Sequence, residues 1–79
     1  MKKRKSHHFR QIIVNENLLQ YKNDVPVSLR NISIVEDYAN GIEYLELSSK
    51  YNISYQRIYQ IIAAYIRICH TRNKGEPLI

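Results

Sequence analysis

The sequence predicts a small all-α domain, preceded by a basic arm and an N-terminal segment of undecided type, and three observations predict it. Within Gly41–Ile62 the small, turn, cap and apolar positions fall where two short helices meet at a steep angle. Further on, Ile58, Ile61, Ile62, Tyr65 and either Ile68 or Cys69 recur at the i, i+3, i+4, i+7 spacing of one buried helix face. Upstream, Ile32, Val35 and Ala39 share another such face, with Tyr38 beside them and Gly41 as a stop signal.

Taken in order, residues 1–8 are a basic arm holding Lys2, Lys3, Arg4 and Lys5. Residues 9–25 have two readings. Phe9, Ile12, Ile13 and Glu16 are spaced for a helix, whereas IIV-NEN-LLQY also fits two short strands around an Asn-rich turn. The helical reading is preferred. Pro26 then punctuates the chain and biases Val25 toward an extended conformation. The helical domain proper spans residues 26–72. Its first helix covers about Asn31–Asn40, with Ser33 and Glu36 as a capping box and Ser28 as an earlier possible start. Gly41 closes that helix in a left-handed cap.

A second helix covers about Tyr44–Tyr51, turning Leu45, Leu47 and Tyr51 inward or toward the first. Ser48 leaves room where two backbones touch. Four residues later Asn52 tolerates positive φ, so the turn falls at 51–54. Leu47, Tyr51, Ile53, Ile58 and Ile61 close the corner, and Ser54 caps the third helix, which continues to about Arg72 with its recognition part over about 55–70. The tail 73–79, with Gly75 and Pro77, is expected to fray.

Composition narrows the function classes. A chain of 79 residues forms one domain able to bury only about 60% of its unfolded surface. A net charge of +5 with 44% hydrophobic residues describes a globular protein suited to a polyanionic partner. The acids Glu36, Asp37, Glu43 and Glu46 gather in the middle, and none occurs from Leu47 to Gly75, where Lys50, Arg57, Arg67, Arg72 and Lys74 lie. One cysteine allows no internal disulfide and fits a reducing cytoplasm. No stretch is apolar enough to span a membrane, and MKKRK runs into polar SHH rather than a signal-peptide core.

Residues 31–62, through the pattern IVEDYANGIEYLELSSKYNISYQRIYQII at 34–62, resemble the trihelical helix-turn-helix of sigma-factor C-terminal domains, recombinase DNA-binding domains and small phage or mobile-element regulators. It departs from the common form in having Ser48 for alanine and Asn52 for glycine. The resemblance implies sequence-specific binding of double-stranded DNA by a transcriptional regulator, with the third helix in the major groove.

The exposed residues opening that helix suit base contact: Tyr55, Gln56, Arg57, Tyr59 and Gln60. Glutamine pairs with adenine, arginine with guanine, and a tyrosine ring with the thymine methyl. Lys50, Ser54, Arg67 and the arm Lys2–Lys5 are phosphate-contact candidates. The bland alternative is ordinary helix surface, with the tyrosines packing on the second helix and the arm merely solvated.

Beyond the corner, Tyr65, Ile66, Ile68 and Cys69 extend an apolar surface that something must cover. One expectation is a homodimer through these four residues; the other is the chain's own Phe9, Ile12, Ile13, Leu18 and Leu19.

No enzyme is expected, for lack of a phosphate loop, H-E-x-x-H, C-x-x-C or nucleophile elbow, and no cofactor or small-molecule ligand is evident. Cys69 and His70, about 100° apart on a helix, poorly suit one metal. Rival readings are a protein-interaction module (an adaptor or inhibitor of polymerase, of a regulator or of a recombination complex) and an RNA-binding protein using its basic tract and tyrosines.

Overall fold

Helices account for all the regular structure in a computed structural model of the chain, which describes residues 5–73, with side chains over 9–71. The order is α1 (Lys5–Asn15), a 3₁₀ turn (Leu18–Tyr21), α2 (Leu29–Ala39), α3 (Tyr44–Tyr51) and α4 (Tyr55–Asn73). The domain is therefore all-α, as predicted. Residues 9–25 take the helical reading rather than the two-strand one. The Asn-rich stretch does turn the chain, with Asn17 left-handed at φ 51°, but it joins a helix to a 3₁₀ turn. Because α1 begins at Lys5, residues 5–8 of the expected arm are helical, and Lys2, Lys3 and Arg4 lie outside the described residues. At the other end α4 continues to Asn73, one residue past the expected end near Arg72, and the tail beyond it is also outside the described residues.

Capping chemistry sets the helix starts. The Ser28 hydroxyl accepts from the Asn31 N–H at 3.2 Å, so α2 starts at the earlier of the two sites and Ser33 sits within it. Ser54 caps α4 the same way through the Arg57 N–H. Gly41 adopts φ 112°, a conformation that a Cβ would strain. Asn52 is left-handed at φ 56°, and the Ser48 carbonyl accepts from the Ile53 N–H at 3.1 Å across the turn. The Ser48 hydroxyl returns a bond to the Ile53 carbonyl. A small side chain at 48 thus both admits α4 and ties the corner.

The core joins Ile13 and Leu18 from the N-terminal segment to Ile32, Ile34, Val35 and Tyr38 of α2, Tyr44 and Leu47 of α3, and Ile58, Ile61, Ile62, Tyr65, Ile66 and Cys69 of α4. Of the two candidates to finish the α4 stripe, Cys69 is buried and Ile68 half-buried. Leu45, expected inward, is 71% exposed. On so short a helix the buried line runs through Tyr44, Leu47 and Tyr51, and Leu45 falls off it.

The N-terminal segment supplies the cover for α4. Leu18 is fully buried, and its carbonyl accepts from the Tyr65 hydroxyl at 2.8 Å and from the Cys69 thiol at 3.8 Å. Phe9, Ile12 and Leu19 pack against the same core. Of the two covers expected for this surface, the chain's own segment is the one that lies on it. Tyr65, Ile66 and Cys69 are buried within one chain and have no surface left for a second copy, and only Ile68 remains partly accessible. Burial raises the Tyr65 hydroxyl above the usual phenol range, the nearby thiol adding to it, so it stays a neutral donor.

Arg10 ties α1 to the α2–α3 connection. Its guanidinium donates to the Tyr38 carbonyl at 2.7 Å and the Ile42 carbonyl at 2.9 Å, and lies 4.4 Å from the Tyr38 ring centroid. The Tyr38 carbonyl already accepts from the Gly41 N–H at 3.0 Å, so the guanidinium adds a charged donor at the C-terminal end of α2, where a cation is favoured.

Candidate nucleic-acid interface

The buried stripe of α4 determines what the opposite side presents. With Ile58, Ile61, Ile62 and Tyr65 turned into the core, Gln56, Arg57, Gln60 and Arg67 all face outward and are exposed. At about 100° per residue, Gln56, Gln60 and Arg67 share one stripe, while Arg57 sits at its edge. Ala63 and Ala64, half-buried, keep this face low between the polar side chains.

Tyr55 and Tyr59 are exposed, at 45% and 37%. Each ring packs on one side against Tyr44 of α3, the second helix predicted from sequence, and is open on the other. Tyr44, buried at the start of α3, stacks on Tyr38 with centroids 5.1 Å apart and planes 10° from parallel. It meets Tyr55 and Tyr59 edge-on at 5.4 and 6.2 Å. Phe9 of α1 closes the cluster against Tyr59 at 5.4 Å. Each such pair contributes roughly 0.5–1.5 kcal/mol beyond its buried area.

The Tyr44 hydroxyl is buried without a well-formed hydrogen bond among the described residues. Burial first, and the neighbouring Tyr38 hydroxyl second, hold its pKa above the usual phenol range. Neither Tyr44 nor Arg10 was recognised as a supporting residue from sequence. The available signal was the count of seven tyrosines, more than so small a core accepts without ring-on-ring packing.

Cations divide into two groups. Lys50, a phosphate-contact candidate, is held by Asp37 at 2.8 Å and lies over the Tyr51 ring. Tyr51 donates to the same carboxylate at 2.7 Å, and these two hydrogen bonds, from Lys50 foremost, hold Asp37 below its ordinary value. Lys50 therefore braces α2 against α3 while its side chain stays 52% exposed. Lys22 pairs with Glu36, Arg10 with Glu43 and His70 with Glu16. Arg57 and Arg67 make no ion pair through their side chains among the described residues. Arg30 of α2 bonds only the Asn31 amide oxygen, so the cations without an ion pair among the described residues are Arg30 and, on the outer face of α4, Arg57 and Arg67.

Beside Arg57 and Gln60, a shallow groove of about 190 Å³ runs between α4 and the stretch Pro26–Ser28, with Ile68 at its far end. Among the described residues no cluster of three metal-ligating side chains occurs. No helix there is long and apolar enough to cross a membrane. Comparison with protein-family models, with curated proteins and with solved structures finds no match to this chain.

Proposed function

We propose that the chain is a transcriptional regulator of the trihelical helix-turn-helix kind, binding double-stranded DNA sequence-specifically with α4 in the major groove. One observation carries this reading. The α3–α4 corner presents an outward face from Tyr55 to Arg67 that contains amides, phenols and unpaired guanidiniums and no carboxylate. Such a face lacks repulsion for phosphate and has the donors that base edges accept.

In this reading Gln56 and Gln60 contact bases, with Tyr55 and Tyr59 beside them. Arg57 takes a base or a phosphate at the edge of the stripe. Ser54, the N–H groups opening α4 and Arg67 anchor phosphates, and Lys2, Lys3, Arg4 and Lys5 add counterion release.

The test is fluorescence anisotropy of a random-sequence duplex over a salt series, with wild type beside Gln56→Ala/Arg57→Ala/Gln60→Ala. Micromolar binding is expected, falling steeply with salt by about 0.9 log units per log unit for each phosphate contacted, and weakened in the variant. Absence of binding at low salt overturns the reading.

A protein partner is the second reading, and Leu29 favours it. This residue is 84% exposed on the first turn of α2, directly after Ser28 of the groove. If a protein is the ligand, Leu29→Ser disrupts binding more than changes at Gln56 or Gln60 do.

A further inference from the structure

The outer face of α4 repeats itself. Tyr55–Gln56 and Tyr59–Gln60 are the same dipeptide one helical turn apart. Residues four apart lie along one ridge of a helix. The surface therefore carries two adjacent rows: an apolar one of Tyr55, Tyr59 and Ala63, and an amide one of Gln56 and Gln60.

These rows match the two halves of an A·T pair in the major groove. Adenine offers N7 and the N6 amino group, which an amide side chain satisfies with two hydrogen bonds; thymine offers its methyl group to an apolar contact. Cytosine is read through its N4 amino group by carboxylates, and α4 has none from Tyr55 to Asn73. The guanine readers are at the margins. Arg57 is rotated off the amide row toward the groove, and Arg67 stands seven residues beyond Gln60, about 10 Å along the axis.

We infer that this face reads an A·T-centred site, with Gln56 and Gln60 on adenines about two base pairs apart, from a helical rise of about 6 Å over four residues against about 3.4 Å per base pair. Thymine methyl groups pack against Tyr55 and Tyr59. Tyr44 acts as a positioning residue: its ring edges hold both phenols in place, so their apolar area meets the DNA with little further ordering. The inference rests on the proposed DNA reading and assigns its base class.

The test selects bound sequences from a random duplex pool with the full chain. The winning duplex is then compared with copies in which single thymines are replaced by deoxyuridine, removing only the methyl group. Enrichment of A·T pairs two steps apart is expected, with roughly fourfold weaker binding per contacted methyl, the worth of one buried CH₂. For Tyr59→Ser the thymine and uracil duplexes should bind alike at its contacted position, with circular dichroism checking that the helical fold is kept. Selection of G·C-rich sites, or uracil duplexes bound as tightly as thymine ones by wild type, overturns the inference and leaves the DNA reading standing. Binding of no duplex at low salt overturns both.

Discussion

Two corners of this molecule turn on a left-handed asparagine, and they are held in opposite ways. At the α3–α4 corner Asn52 has φ 56°, and its neighbours do the rest: Ser48 bonds to Ile53 through both its carbonyl and its hydroxyl, and Ser54 caps the next helix. At the α1–3₁₀ corner Asn17 has φ 51° but provides no side-chain cap. That turn is tied to α4 instead, through bonds to the Leu18 carbonyl from residues 47 and 51 positions away. Similar backbone geometry is stabilised locally in one place and by tertiary docking in the other.

The difference predicts where damage spreads. Leu18→Ala should cost about 2–5 kcal/mol in chemical denaturation, because it empties a buried site and weakens the cover of α4. A loss below 1 kcal/mol would mean that the N-terminal turn is not part of the cooperative core. Next, Tyr65→Phe should cost about 1–3 kcal/mol, leaving the Leu18 carbonyl with only a weak thiol donor.

Ser54→Ala should cost about 1 kcal/mol. Paired with Leu18→Ala it should be additive, because the corners share no hydrogen bond. Substituting alanine for Asn17 or Asn52 should cost about 1 kcal/mol each from left-handed strain, while glycine at either position should cost less. If Asn52→Gly matched Asn52→Ala, the asparagine side chain rather than its conformation would be what the corner needs.

The smallest effect concerns acid. Asp37 has a folded pKa below its ordinary 3.8. Its contribution is therefore fully present above that value and is lost as pH falls through the lowered folded one. Asp37→Asn should flatten the acid limb of a stability–pH curve and leave its neutral-to-basic limb unchanged in shape.

The same contrast explains what could be read in advance. Ser28, Gly41, Asn52 and Ser54 each act on residues within a turn of themselves, so their roles are written in adjacent letters. The phase of α4 follows from Ile58, Ile61, Ile62 and Tyr65, which is why the outward position of Gln56, Arg57 and Gln60 was legible. Other features depend on distant partners. Ile34 is fully buried although it stands off the Ile32–Val35–Ala39 face, and Tyr44 takes its meaning from Tyr38, Tyr55 and Tyr59 together. Lys50 looks like an available cation until Asp37, thirteen residues earlier, is placed beside it. Whether a helix's outer apolar residues meet a partner or the chain's own terminus is likewise a long-range question. For Tyr65, Ile66 and Cys69 the answer lay in Leu18.

The sole cysteine lies directly beneath that N-terminal cover. A thiol-reactive dye can label Cys69 only when the segment lifts away. With reclosing faster than the chemistry, the labelling rate relative to an open thiol equals the opening equilibrium constant. Labelling much faster than global unfolding would identify the first twenty-odd residues as a separately detaching unit, and equal rates would make them part of a single cooperative block. The protein carries a native reporter of its own docking equilibrium, and no engineered label is required.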